Sequence, residues 1–319
     1  MEKKTKNILV GGQAVIEGVM MRTPKAYATA VRNPDGEIET QRHEFNSLAK
    51  KKKFWSLPVF RGMVSMVESM SIGMKTLTFS ADTAYPEEAE KSSSFMAKLG
   101  EFSATAFAFI LAFGLFVLAP MMISEQVLNL EKTALLFNLS AGILRVIFFV
   151  VYLLVISLMK DINRLFHYHG AEHKTIYTFE SGEELNTENV KKHSRLHPRC
   201  GTSFLFLSII NIILFYAVVD ALVMGVFGLE LDVKLRLLIH LPFMPFVIGL
   251  GYELLKYSSR NLDKWVVAWI TKPGLWLQRI TTKEPDDGMI ECAITALKTG
   301  FGDEWEKVKG RKYSADAIE

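Results

Sequence analysis

The chain has 319 residues, 50% hydrophobic and 22% charged, with a formal net charge of +3 and a mean hydropathy of +0.19. This balance is too apolar for an ordinary soluble domain and indicates a membrane protein with a sizeable polar part, while the small net charge gives no reason to expect a nucleic-acid partner. Two cysteines, Cys200 and Cys292, exclude a disulfide framework, and residues 1–20 lack the apolar core and small-residue cleavage site of a secretory signal.

Residues 1–58 are polar and mixed, and read as a cytoplasmic segment containing β-structure. Gly11, Gly12 and Gly18 predict tight turns or close backbone approach. Tyr27 to Arg32 and Glu37 to Phe45 read as the two strands of a β-hairpin. Asn33-Pro34-Asp35-Gly36 joins them, a type I turn with a glycine bulge. The basic run Lys50 to Lys53, followed by Phe54 and Trp55, has the composition of an interfacial anchor. In the unit 59–100, Phe60, Met63, Val64, Val67, Met70, Met74 and Leu77 fall on one helical stripe. That stripe predicts an amphipathic helix packed on the membrane domain or lying at its surface, followed by a polar loop over 85–98.

Four apolar segments follow, at 104–123, 134–158, 203–224 and 235–255. Each reaches the roughly 20 residues needed to cross a hydrocarbon core about 30 Å thick. They divide the chain into a first membrane pair (101–158), a central loop (159–202), a second pair (203–256) and a carboxyl-terminal part (257–319). The loop 159–202 carries Lys160, Arg164, Lys174, Lys191, Lys192, Arg195 and Arg199, whereas 124–133 and 225–234 carry only Lys132 and Lys234 as basic residues. The positive-inside rule then places both termini and the central loop in the cytoplasm. Residues 260–281 mix Trp265, Trp269 and Trp276 with basic residues and read as interfacial, with Pro273-Gly274 dividing the stretch into two pieces. A further helix starts near Asp286 and Asp287, whose carboxylates suit its first turn.

The chemistry concentrates between His167 and Ser203. His169, Glu172 and His173 form His-x-x-Glu-His, and His197 and Cys200 follow in HPRC. On a helix extending the second span, positions i, i+3 and i+4 share a face, so His169 and His173 present two imidazoles to one ion. His197 or Cys200 would complete a four-coordinate site for a divalent transition metal, zinc first, given its preference for nitrogen and thiolate ligands. Thr187 is a candidate N-cap for a short helix before His197-Pro198. Arg199 and the start of the third span are a candidate anion site. The bland alternative is a set of polar surface histidines above a membrane. Gln13 and Glu17 either reach the site or support the glycine-shaped turn. Within the spans, Arg145, Asp220 and His240 are ionisable; Asp220 and His240 share a depth near the outer leaflet, and Arg145 lies nearer the middle.

The segments GGQAVIEGVMMR (11–22), YHGAEHKTIY (168–177), HPRCGTSF (197–204) and PGLWLQRITTKEPDD (273–287), together with the flanking spans, resemble the DUF1385 family of YqhQ-like bacterial membrane proteins. The resemblance runs from about residue 8 to residue 300. It implies a metal-dependent enzyme of the bacterial cytoplasmic membrane, with site positions His169, Glu172, His173, His197 and Cys200. The expected architecture is mainly α: a polytopic membrane protein of about four transmembrane helices with a small α+β cytoplasmic part. The expected function is metal-dependent hydrolysis at the cytoplasmic membrane face, with Glu172 activating water and Arg199 holding an anionic group. Two other classes compete, a transporter using Arg145, Asp220 and His240, and a membrane scaffold with a structural zinc.

Overall fold

The computed structural model describes residues 8, 10–87, 95–261 and 264–313. It begins with an antiparallel meander in which β1 (Gly11–Val15), β2 (Gly18–Arg22), β3 (Ala26–Arg32) and β4 (Ile38–Glu44) lie side by side in chain order. The β3–β4 hairpin is the one expected. Its turn is tied by the Glu37 N–H donating to Asn33 Oδ1 at 2.9 Å, and Gly36 takes a φ of 89° that a β-carbon disfavours. The glycine-rich stretch before it does more than turn: it forms a second hairpin, β1–β2. Gly18 is required there, because a β-carbon would run into the Ala30 carbonyl on β3. Period-2 alternation does not mark β2, because both of its faces are buried. Val19 and Met21 join the main core shared with α-helices, while Met20 packs with Tyr27 and Ile72 on the other side.

Helix α1 (Phe60–Ala84) covers that second face. Its buried positions Ile72, Thr76, Ser80 and Ala84 repeat every four residues, and Ser80 Oγ accepts the Ile16 N–H at 3.2 Å. Apart from Ile72 the packing face is therefore built from small and polar residues; the expected stripe through Val67, Met70 and Met74 is exposed. Near its start, Gly62 abuts Tyr252 and Gly249, and Arg61 pairs with Glu253.

Four helices are long and apolar enough to cross a membrane: Phe102–Val127, Ala134–Ile156, Phe206–Phe227 and Val233–Ser258. The first belongs to α2 (Phe95–Phe113), which continues through π-helical Gly114–Leu118, helical Ala119–Met122 and π-helical Ile123–Val127. The expected loop 85–98 thus gives way to helix at Phe95, and 88–94 lie outside the described residues. The second is α3 (Ala134–Ile156). Gly142 lets the third span approach it so closely that any β-carbon there would meet Ile213.

Helix α4 (Lys160–Ser181) is not an extension of α3, because the chain turns at Ser157 to Met159 before it starts. Short α5 (Thr187–Lys192) follows, capped one residue earlier than expected by Asn186, whose Oδ1 accepts the Asn189 N–H at 2.9 Å. The remaining spans lie in α6 (Gly201–Phe227) and α7 (Val233–Arg260). Helix α8 (Trp265–Thr281) runs unbroken through Pro273. Proline removes one intrahelical hydrogen bond, and burial of Val267, Thr271, Gly274, Leu277 and Gln278 along one face holds the helix across that point. Helix α9 (Asp287–Phe301) is N-capped by Asp286, so capping accounts for that carboxylate; Asp287 pairs with Lys191. Helices α4 and α9 pack with Val19, Met21 and Ala30 of the sheet into one core. The strands, the central helix and the carboxyl-terminal helix therefore lie on one side of the spans.

Asp220 on α6 is fully buried, and its oxygens are fully used. Oδ1 faces His240 Nε2 at 2.7 Å, while Oδ2 accepts Asn138 Nδ2 at 2.7 Å and pairs with Arg236 Nη1. Of the two other ionisable residues singled out in the spans, His240 reaches Asp220 and Arg145 does not. Arg236, near the start of α7, takes that place, with its guanidinium 3.8 Å over the Phe137 ring. Removing one member of a buried ion network strands the others and typically destabilises by about 3–5 kcal/mol. Asp220→Asn is accordingly expected to lower the thermal unfolding midpoint in detergent markedly. An unchanged midpoint would show that the network contributes nothing to the fold.

Candidate functional site

Helix α4 presents an unbroken buried run from Gly170 to Ile176, as befits a helix surrounded by protein. Each turn meets a different neighbour. Tyr168, Ala171, Ile176 and Phe179 enter the core with α9. Gly170 lies against the Lys283 backbone so tightly that no side chain fits. Glu172 points at β1, where a β-carbon on Gly12 would come within 3.0 Å of its Cγ and Cδ. His169 and His173, one turn apart, face the loop that leads into α6.

Those two imidazoles and Cys200 are brought together. His169, His173 and Cys200 each offer a ligand atom, and the three atoms lie within 4.8 Å of one another. The rings stand T-shaped with centroids 4.4 Å apart. His169 Nδ1 lies 2.8 Å from Thr281 O, and His173 Nδ1 lies 2.6 Å from Arg195 O. A carbonyl only accepts, so both protons sit on Nδ1 and both Nε2 lone pairs are left for another partner. For His169 that partner is Cys200 Sγ at 3.2 Å. Outer hydrogen bonds of this kind fix the tautomer and ring orientation of metal-binding histidines.

His197 stands beside this cluster rather than in it. Its ring is 5.6 Å from that of His173. Its Nδ1 accepts the Arg199 N–H at 3.3 Å, and its Nε2 faces Glu180 Oε2 at 3.9 Å. Arg199 pairs with Glu180 too, and both side chains are largely shielded from solvent. The cation expected to hold an anionic group is thus matched by a carboxylate of the same chain. Gln13 and Glu17 do not enter the cluster: the Gln13 amide lies against Gly73 of α1, and Glu17 pairs with Arg164 and accepts the Tyr168 hydroxyl at 3.1 Å.

Four contributors are not singled out by the sequence, although Gln278, Thr281 and Thr282 lie within the segment 273–287. Glu180 is one; it lies seven residues after His173, and continuing the His169–His173 stripe through Tyr177 leads to it. Gln278 on α8 clamps His197 on both sides of its backbone, accepting from N at 2.7 Å and donating to O at 2.8 Å. Thr281 and Thr282 supply carbonyls to His169 and Arg195. A backbone carbonyl leaves no trace in residue type.

The electrostatics follow from burial. Burial pushes the Glu172 carboxyl up to about 8, with Cys200 adding to the rise; His169 and the Gly12 and Ala14 amides oppose it. Burial also holds His173 and His197 below the ordinary histidine value, against the pull of Cys200 and Glu180 respectively. Burial acts upward on Glu180, but contact with His197 and Arg199 outweighs it and leaves the carboxyl below its usual range. Burial thus favours the neutral form of the His173 imidazole, and histidine nitrogen with cysteine sulfur is the donor set that zinc takes.

The largely shielded Glu180–Arg199 pair makes a separate expectation. Arg199→Met and Glu180→Met should each lower stability, on the order of 3–5 kcal/mol, by leaving the other charge uncompensated. The double variant should lose clearly less than the sum in thermal unfolding. Simple additivity would show that the two side chains do not act together.

A family model described as "Protein of unknown function (DUF1385)" matches residues 57–302. "Uncharacterized protein YqhQ" of Bacillus subtilis (strain 168) is 31% identical over 301 residues, which covers 90% of each chain. No solved structure matches the chain.

Proposed function

Because the chain belongs to the DUF1385 family, a family of unknown function, we propose its role from the site itself: metal-assisted hydrolysis at the cytoplasmic face of the bacterial plasma membrane. The observation that carries this reading is the trio His169, His173 and Cys200, with ligand atoms within 4.8 Å and both imidazoles oriented by carbonyls. Three protein ligands leave a fourth tetrahedral position, as in catalytic rather than structural zinc sites. Zinc bound there would acidify a water molecule and polarise a substrate oxygen.

The chain's own groups then divide the work. His169, His173 and the Cys200 thiolate would hold the ion. Glu172, buried and in electrostatic contact with His169 and Cys200, would serve as base only in its ionised form, which burial shifts to above about pH 8, and would then take a proton from the attacking water and return it to the leaving group. The amides of Gly12 and Ala14 hold that carboxyl in place from β1. Arg199, Glu180 and His197 position the loop that delivers Cys200.

Metal analysis of the purified protein is expected to find about one zinc per chain. His169→Ala/His173→Ala should abolish binding, and Cys200→Ser should weaken it by more than the roughly 10–100-fold typical of losing an outer hydrogen-bond partner. Glu172→Gln should keep the metal and lose activity, and His197→Ala should keep the metal. Stoichiometric metal in the double histidine variant, or no metal in protein prepared without chelators, would refute the site.

The cytoplasmic placement rests on the basic residues of 159–202 and on the packing of strands, α4 and α9 into one body. Reporter fusions after Asn129 and Leu229 should be exported, and those after Gly182 and Gly302 retained. An exported Gly182 fusion would move the site to the other side of the membrane.

A further inference from the structure

A cavity of about 270 Å³ lies among the four spans, lined by apolar side chains including Phe116, Phe149, Ile212 and Met244, and by Arg145. Arg145 is eleven residues from either end of α3, roughly 16 Å from each at 1.5 Å per residue. Among the described residues its one hydrogen bond is from Nε to Phe116 O at 3.2 Å, in the π-helical stretch Gly114–Leu118. π-Helical turns inside longer helices are frequent at functional sites.

No carboxylate of the spans balances this cation. The four spans contain Glu125, Asp220 and Glu253. Glu125 accepts the Val233 N–H at 3.0 Å, Glu253 pairs with Arg61, and Asp220 is held by Arg236, Asn138 and His240. The other polar groups on the wall are also engaged. His240 is bound to Asp220, and the Tyr216 hydroxyl donates to His240 O at 2.8 Å. The lining is therefore hydrocarbon-like almost throughout, and Arg145 is the wall residue whose charge has no counter-charge among the described residues. A cation at that depth is costly unless paired and is as a rule functional.

We propose that the cavity binds a single-chain amphiphilic anion, a long-chain carboxylate, with its head group on Arg145 and its chain against the apolar wall. A carboxylate matches the planar guanidinium fork and makes a neutral pair with it. A phosphate monoester would leave excess negative charge among the spans, and an uncharged chain would leave Arg145 unmatched. This assignment is independent of the metal site.

The test is equilibrium binding of radiolabelled palmitate to the full-length protein in phosphatidylcholine nanodiscs, corrected with empty nanodiscs. Saturable binding near one per chain is expected, displaced by unlabelled palmitate and far less by hexadecanol or lysophosphatidate. Arg145→Gln should weaken it at least about tenfold, as for losing a charge-assisted pair, with partial rescue in Arg145→Lys. Ile212→Trp fills the cavity, leaves Arg145 intact and should abolish binding; it decides the matter if Arg145→Gln does not fold by circular dichroism and gel filtration. No saturable binding to the wild type would overturn the assignment. So would equal displacement by hexadecanol, stronger displacement by lysophosphatidate, or wild-type affinity in the folded variants.

Discussion

Burial of the Gly170–Ile176 run of α4 on every side is the constraint from which the rest of the site follows. A polar helix that carries His169, Glu172, His173 and Lys174 can be enclosed only if each of those groups finds a partner. The partners come from all along the chain: Gly12 and Ala14 from β1, Arg195 from the loop before α6, and Thr281 and Glu284 from the end of α8 and the segment after it. The glycines at 12 and 170 are part of the same constraint, because they allow backbone to approach where any side chain would hold it off. The cluster of imidazoles and thiol is thus the point at which three distant pieces of the chain are forced to agree.

The membrane part obeys a related rule with a different outcome. Asp220 gathers Arg236, His240 and Asn138 into a closed group, so its charge is spent on structure. Arg145 is left with a single backbone carbonyl and open apolar surroundings. Two ionisable positions that look alike in sequence therefore differ in what they can do. One ties helices together; the other retains the capacity to pair with something from outside.

Much of this arrangement was legible in the residues, and the misses share physical causes. The spans could be read because a run of about twenty apolar residues matches the thickness of a bilayer and little else. The β3–β4 hairpin could be read because Asn33-Pro34-Asp35-Gly36 is a turn with a mechanism. The β1–β2 hairpin could not, since a strand buried on both faces has no alternation and glycine signals several structures at once. The pairing of His169 with His173 followed from helical spacing; of His197 and Cys200, both offered as further ligands, only Cys200 comes into the cluster, and nothing in the spacing chose between them. The direction of Glu172, toward β1, did not follow from spacing, because a shared helical face says nothing of what packs on it. Arg236 was hidden by lying at the edge of a span, where a basic residue is ordinarily solvated. Gln278 and the carbonyl of Thr281 act through tertiary position alone.

The meander has a temporal consequence. Met21 on β2 and Leu297 on α9 share one core, yet they are separated by the whole set of spans. At roughly 5–20 residues per second of synthesis, the amino-terminal strands wait on the order of 15–55 s for the helix that covers them. During that interval Val19, Met21 and Ala30 have no completed core, while the outer strand β4 ends in Gln41-Arg42-His43-Glu44, a polar run that discourages edge-to-edge pairing. Synthesis of the four apolar helices is thus a clock for the site, which can close only after the last of them has left the ribosome.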